Sequence, residues 1–281
     1  MRILQYKQLF LNELQPTYDI MEAESFFYIA LEDWLHLKRI DLALQPELEF
    51  TAEQLLQWDQ LKQQLLQQQP IQYIIGHTEF MGLQFQVTPA TLIPRPETEE
   101  LVMLILNQHP QCNGRILDIG TGSGCIAISL AHSLPNAQVM AIDVSPQALE
   151  IATANATRNN VSVDFLLKDI LLTEQLDFSC DLIVSNPPYV RNLEKVEIQL
   201  NVLEHEPHLA LFVSDEDPLL FYRKIAQLAQ KSLLPNGKLY FEINQYLGRE
   251  TADLLVSLGY TNVVLHKDCY NNDRMLSAVW K

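Results

Sequence analysis

Asp118-Ile119-Gly120-Thr121-Gly122-Ser123-Gly124 decides how most of this chain is read. The residues before it, Arg115 to Ile119, form a short apolar run, and those after it carry Ile126 and Leu130 at helical spacing. A glycine-rich turn between a strand and a helix lets the backbone approach a ligand closely; a tight turn with no ligand is the plain alternative. Working outward, Gln138 to Asp143, Val163 to Lys168, Asp181 to Ser185 and Lys238 to Ile243 are further β-like runs, with helical patterns in the gaps. That alternation predicts βαβ units and an α/β fold, with helices on both faces of a parallel sheet. Asn262 to His266 and Met275 to Trp280 are separated only by a polar loop, which predicts an antiparallel closing pair.

The other end of the chain reads differently. Residues 1 to 72 contain no glycine and place Tyr6, Leu9 and Phe10, then Phe27, Ala30, Leu31 and Trp34, then Leu55, Trp58, Leu61 and Leu65 at helical spacing. A small helical bundle is expected, with Asp19 starting one helix and Pro16, Pro46 and Pro70 separating segments. The glutamines at 63, 64, 67, 68 and 69 flank Leu65 and Leu66, so they are read as a solvated helix face. From Ile71 the pattern turns to short alternating stretches around Gly76 and Gly82, which predicts a β-hairpin carrying Phe80, Leu83, Phe85 and Val87. Pro94 and Pro96 then impose an extended loop, with a helix expected from about Thr98. The expected organisation is 1–72 helical, 73–98 hairpin and linker, and 99–281 the α/β domain.

A chain of 281 residues suits two domains, each large enough to bury a core. The N-terminus lacks the apolar run and cleavage site of a signal peptide, and no apolar stretch approaches the roughly 20 residues that span a bilayer. Four scattered cysteines form no C-x-x-C pair, so neither a disulfide framework nor a metal site is suggested. A cytoplasmic protein without a membrane partner is expected, acting as a monomer. The net charge of −16 weighs against a stable nucleic-acid partner.

Two ligands compete for the glycine loop, a dinucleotide and S-adenosylmethionine. Asp143 closes the second strand 23 residues after Gly120, where a carboxylate can accept bonds from both ribose hydroxyls. Ser145-Pro146 then caps and opens a helix, which keeps the acid at a strand end. The dinucleotide fingerprint G-x-G-x-x-G requires a third glycine where this chain has Cys125, so NAD is disfavoured. Asp118 would also repel a pyrophosphate, but it suits the ammonium group of a methionine moiety.

The fourth strand ends in Asn186-Pro187-Pro188-Tyr189. Two prolines stop the ladder there and leave the asparagine amide and the Pro187 carbonyl free at the carboxyl edge of the sheet. A planar nitrogen is a poor nucleophile, and two acceptors can bind its N–H groups and aim it at a methyl donor. Tyr189 is expected to pack on the planar group. No general base is obvious, and methyl transfer from a sulfonium does not strictly need one.

Taken together, Asn186 to Tyr189 and the Asp118 to Gly124 loop resemble the amino-methyltransferases that act on planar nitrogens. Gly76, Phe80, Gly82-Leu83, Phe85, Val87, Pro89 and Leu92 through Thr98 narrow the resemblance to the release-factor glutamine methyltransferases, the HemK or PrmC type. The ribosomal-protein glutamine enzymes are similar but as a rule lack the Arg95-Pro96-Glu97-Thr98 ending. The resemblance also takes in Glu204 to Pro207, Ala210-Leu211 and the tail from Lys267 to Arg274. It implies a Rossmann-like S-adenosylmethionine-dependent methyltransferase domain behind a helical domain that recognises substrate. Carried over by position, Gly120, Thr121, Gly122, Ser123, Gly124, Asp143, Ile170 and Asn186 would contact the cofactor. Asn186, Pro187, Pro188 and Tyr189 would hold the substrate, with Asn186, Pro187 and Tyr189 catalytic. That substrate would be the glutamine of a Gly-Gly-Gln segment in a peptide chain release factor. The chain departs from the family in having Asn244 and Asn271 where glycine is usual, and the turns are expected to persist because asparagine tolerates positive φ.

Glu206 and Glu242 are read as solvated or capping carboxylates, and Arg95 and Glu97 as an interdomain salt bridge or a loop clamp. His77, His205 and His208 lack metal-ligand spacing. The competing function is a nucleic-acid amino-methyltransferase acting on adenine N6 or guanine N2, since a flipped base offers a similar planar amine. Residues 1–72 hold five basic against eleven acidic side chains, the wrong sign for a nucleic-acid platform.

Overall fold

Ile3, Tyr6, Phe10 and Leu14 are all buried, which makes the helix Ile3–Leu14 amphipathic and gives the first core its edge. The computed structural model describes residues 1–281. Two compact units emerge: Met1–Gly76 with Leu200–His205, and His77–Gln199 with Glu206–Lys281.

In the first unit the helices Ile20–Leu35, Arg39–Leu44 and Ala52–Leu66 join Ile3–Leu14 around Trp58. The Trp58 ring lies 4.7 Å from that of Phe27 and 5.1 Å from that of Phe50, so one large aromatic organises the core. Asp19 caps its helix by accepting from the Met21 and Glu22 amides at 2.8 and 2.9 Å. Gln63 and Gln67 are exposed while Leu61 and Leu65 are buried, as a solvated face requires. Ile71–Ile75 is a short helix rather than the start of a strand pattern. Buried Ile71 and Tyr73 draw it in, and Gly76 ends it with a φ of 84°.

The second unit opens with a hairpin, β1 (His77–Phe80) and β2 (Leu83–Gln86). Met81 and Gly82 both take positive φ in its two-residue turn, the geometry that matches strand twist. The helix Pro96–Gln108 begins two residues earlier than the sequence suggests, because proline is tolerated at a first helical position, where no amide donor is needed.

The main sheet contains β3 (Arg115–Ile119), β4 (Gln138–Asp143), β5 (Asp164–Leu167), β6 (Cys180–Ser185), β9 (Leu233–Glu242), β10 (Thr261–Lys267) and β11 (Asp273–Val279); the short β7 (Val190–Arg191) and β8 (Phe212–Val213) pair separately. The order is β10-β11-β9-β6-β3-β4-β5, parallel from β9 to β5, with β11 antiparallel to both of its neighbours, β9 and β10. Alternate residues serve opposite faces: Leu117, Ile119 and Ile183 pack with Tyr222 and Phe241, and Ile116, Leu182 and Val184 with Leu101 and Ile126. The chain runs from β3 outward through β4 and β5, then returns to β6 on the other side of β3. Strand direction of travel therefore reverses between β3 and β6, and a crevice forms at their carboxyl ends.

Candidate active site

The glycine loop sits at that crevice. Gly120 and Gly122 have φ of 74° and 55°, and a Cβ built on either would meet nothing within 4 Å, so open space lies before the backbone. Gly124 faces inward: a Cβ there would come within 2.8 Å of Ile128 Cδ1 and 3.2 Å of Ala152 Cβ. Its absence lets the helix Cys125–Ser133 pack closely. The amides of Gly120 and Thr121 donate to the Ile142 carbonyl at 2.9 and 3.1 Å, and that of Gly122 donates to Asp143 Oδ2 at 2.8 Å. Asn155, which sequence reasoning passed over, is fully buried; its Nδ2 donates to the carbonyls of Ser123 and Gln86, tying the loop to the hairpin.

Asp143 ends β4 with its second oxygen accepting from the Ser145 amide at 2.9 Å, and Ser145 Oγ accepts from the Ala148 amide at 3.2 Å. Both carboxylate oxygens keep lone pairs beyond these bonds. Asp169 Oδ1 accepts from the Leu171 amide at 2.8 Å, a local turn that leaves Ile170 on the cavity wall. Asp118 is wholly buried; Thr121 Oγ1 donates to its Oδ2 at 2.6 Å, and its Oδ1 has no partner. Burial, reinforced by the charge of Asp143, pushes the Asp118 carboxyl up to about 7 against the pull of the Thr121 hydroxyl and of the Ala127 amide, which lies near the carboxyl but outside good hydrogen-bond geometry to Oδ1.

A cavity of about 450 Å³ collects these elements, with Gly120 to Ser123, Asp143, Ile170 and Asn186 to Pro188 on its lining. Gly124 and Tyr189 lie outside it. Tyr189 packs against the core, and its hydroxyl donates to Glu242 Oε1 at 3.0 Å. The loop ahead of Thr98 also lines the cavity, held by Glu206, which accepts from the Ile93 amide and from Arg95. Arg95 is thus a loop clamp within this unit, and Glu206, 4% exposed, is not solvated.

Asn186 Nδ2 donates to Thr98 Oγ1 at 3.2 Å, and Thr98 Oγ1 donates to Glu242 Oε2 at 2.6 Å. Asn186 Oδ1 and the Pro187 carbonyl accept nothing from the protein. Glu242 is 1% exposed, which corrects the solvated reading; burial raises its carboxyl, opposed by the hydroxyls of Thr98 and Tyr189 and the charge of Arg274. Its place at the end of β9, with Phe241 on one side and Ile243 on the other, was the available sign of burial. Asn271 has the positive φ expected of it, at 67°, but Asn244 does not. The Asn244 side chain instead donates to the Tyr189 carbonyl at 3.0 Å and to Glu194 Oε2 at 2.9 Å, bracing the segment after Asn186.

A family model described as Methyltransferase small domain matches residues 98–209, and one described as PrmC N-terminal domain matches residues 8–76. The chain is 58% identical to a release factor glutamine methyltransferase of Flavobacterium psychrophilum over 99% of each chain. It is 44% identical to one of Bacteroides thetaiotaomicron, over 95% of this chain and 96% of the relative. Among solved structures, a methyltransferase from Pyrococcus furiosus superposes with a TM-score of 0.54 at 20% identity, covering 79% of this chain and 98% of its own. At that identity the likeness speaks for the fold alone.

Proposed function

The chain belongs to the release factor glutamine methyltransferase family, and from that premise we propose that it methylates the side-chain amide nitrogen, N5, of the glutamine in a Gly-Gly-Gln segment of peptide chain release factors. S-adenosylmethionine is the cofactor, and when bound it supplies a methyl group made electrophilic by the sulfonium.

The residues present fit that group. Open space before Gly120 and Gly122 admits a ligand against the backbone, and Asp143, on the lining of the same cavity, puts a carboxylate there that suits ribose hydroxyls and a cationic ligand rather than a phosphate. We assign Gly120 to Ser123 to the cofactor's cradle, with Gly124 closing the helix behind it, Asp143 to its ribose hydroxyls and Ile170 to its adenine. The sulfonium is cationic, so the acidic character of this wall favours binding.

The observation that carries the substrate reading is the pair of uncommitted acceptors, Asn186 Oδ1 and the Pro187 carbonyl, on the cavity that also holds the glycine loop. Together they bind the two N–H groups of a primary amide and turn its nitrogen toward the methyl donor. Pro187 and Pro188 keep that edge free of ladder bonds and line the cavity. Both N–H groups stay hydrogen-bonded to Asn186 Oδ1 and the Pro187 carbonyl while the nitrogen bonds to carbon; one proton then passes to water, and the sulfonium would be left as a neutral thioether. Orientation of this kind is worth roughly 7–11 kcal/mol of barrier when reactants are well aligned.

A nucleobase amine would meet the same acceptors, but the net charge of −16 supports a protein substrate. The helical unit, whose match to the PrmC N-terminal domain spans residues 8–76, selects that protein. Free thiols at all four cysteines support a reducing, cytoplasmic setting, and no helix is long and apolar enough to cross a membrane. We take the monomer as the working form.

Mass spectrometry of a release factor incubated with the chain and labelled S-adenosylmethionine tests the reading: one methyl group on the Gly-Gly-Gln glutamine is expected. Label on DNA or RNA, or none on the factor, rejects it. Removing residues 1–76 is expected to weaken transfer to the whole factor much more than transfer to a short glutamine peptide; equal losses reject the helical unit as the selector.

A further inference from the structure

We propose that Thr98 and Glu242 are positioning residues that lock the Asn186 amide in the one orientation presenting its oxygen to the substrate glutamine, and that Glu242 holds Tyr189 by the same carboxylate. The inference rests on the proposed role of Asn186 as an acceptor for the substrate amide.

The argument is one of donors and acceptors. A threonine hydroxyl has a single proton and two lone pairs. At 2.6 Å from Glu242 Oε2, Thr98 Oγ1 gives its proton to the carboxylate and can only accept from its other neighbour. That neighbour is the Asn186 amide at 3.2 Å, so its NH₂ must face Thr98 and its oxygen must face away. The flipped amide would set Asn186 Oδ1 against a hydroxyl oxygen whose proton is already committed, two acceptors with nothing between them. Glu242 therefore determines which atom Asn186 offers, although it does not itself line the cavity.

The second oxygen of the same carboxylate accepts from the Tyr189 hydroxyl at 3.0 Å. Both ends of the Asn186 to Tyr189 segment thus hang on one side chain that is 1% exposed. Burying a carboxylate is costly, and here two hydroxyl donors and the charge of Arg274 offset part of that cost. The contact partners lie 88 and 144 residues apart for the Asn186–Thr98 and Thr98–Glu242 bonds, so the relay joins three separate segments.

The test compares Thr98→Val, which keeps the shape but removes the proton and lone pairs, with Thr98→Ser, which keeps the hydroxyl. Turnover on a release factor, the factor's KM, cofactor Kd by calorimetry and exchange of the Asn186 side-chain amide protons by NMR are measured for both and for the unaltered chain. Those NMR signals are assigned by their loss in Asn186→Ala. The expected result is a fall in kcat of about tenfold or more in Thr98→Val, with KM and cofactor Kd within about threefold of the unaltered chain. Thr98→Ser is expected to stay within about threefold in kcat, and the Asn186 amide protons to exchange slowly in it and rapidly in Thr98→Val.

Glu242→Gln breaks the relay at its other end, since a glutamine amide can donate to Thr98 and release the hydroxyl proton toward Asn186 Oδ1. The same loss of turnover at unchanged cofactor Kd is expected. If Thr98→Val does not fold, this variant decides by the same criteria. Turnover unchanged in either variant, a loss that only follows cofactor affinity, or equal amide exchange in the Val and Ser variants overturns the relay. An unaltered chain that transfers no methyl group overturns the proposed function instead, while the amide exchange still decides the relay.

Discussion

The wall of the cavity that carries the glycine loop and the wall that carries Asn186 are built by different means. The first is backbone: amides of Gly120 and Thr121 meet the Ile142 carbonyl, and that of Gly122 meets Asp143, all within one βαβ unit. The second is a chain of side chains, Asn186 to Thr98 to Glu242, drawn from a strand end, a helix start and another strand. The difference teaches where each wall is vulnerable. A backbone wall tolerates side-chain replacement except where a Cβ cannot fit, whereas a side-chain wall depends on individual hydroxyl and amide groups.

Asn186→Ala is the sharpest test of this contrast. Turnover is expected to fall on the order of a hundred- to a thousandfold, because the acceptor that orients the nucleophile is gone, while cofactor Kd changes little. Stopped-time assays paired with calorimetry check it; a loss of equal size in both would merge the two walls into one.

Gly124→Ala attacks the backbone wall where it has no slack. The new Cβ would press on Ile128 and Ala152 at a residue with φ of 84°, so a stability loss of about 2–3 kcal/mol is expected from overpacking and left-handed strain. Urea unfolding measures it, and an unchanged midpoint would show that the helix Cys125–Ser133 can move away.

Asp143→Ala removes the side chain of the backbone wall that faces the ligand. Loss of charge-assisted bonds to ribose is expected to weaken S-adenosylmethionine by about 1.5–3 kcal/mol. Calorimetric affinity equal to that of the unaltered chain would remove Asp143 from the cofactor's contacts.

Asp118→Asn leaves the wall's hydrogen bonds largely in place and is the variant with a pH signature. The carboxyl titrates at about 7 when folded against an ordinary value of 3.8, so between those values the folded state holds a proton that the unfolded state has released. This group's contribution to stability therefore falls as pH rises through that window, by up to about 1.4 kcal/mol per pH unit, and is flat outside it. The asparagine variant lacks that slope, and its stability relative to the parent is expected to rise between pH 4.5 and 7. Parallel unfolding curves at both pH values would show that Asp118 is already ionised in the folded chain.

The backbone wall was legible from the sequence because its logic is local. A strand, three glycines, a helix and an acid at the next strand end lie in one stretch of chain, and their spacing alone implies a turn open to a ligand. The parallel sheet with helices on both faces was legible for a similar reason, since alternating β and α patterns leave few ways to build one, whereas the order of its strands came from the tertiary structure. Small departures arose where packing outweighed pattern, as when buried Ile71 and Tyr73 made a helix of a segment that reads as β.

Sequence by itself determined that Asn186, Pro187 and Pro188 end a buried strand, since two prolines forbid the ladder to continue. Only the tertiary structure decided which way the Asn186 amide points, that Tyr189 turns its hydroxyl inward to Glu242, and that Glu242 and Glu206 are buried rather than solvated. Asn244 belongs with these, since the fold uses its side chain where the sequence suggested only its tolerance of positive φ. The physical reason is the same in each case. A strand's end is written in its own residues, but the proton that a hydroxyl gives to one neighbour and withholds from another depends on partners up to 144 residues away.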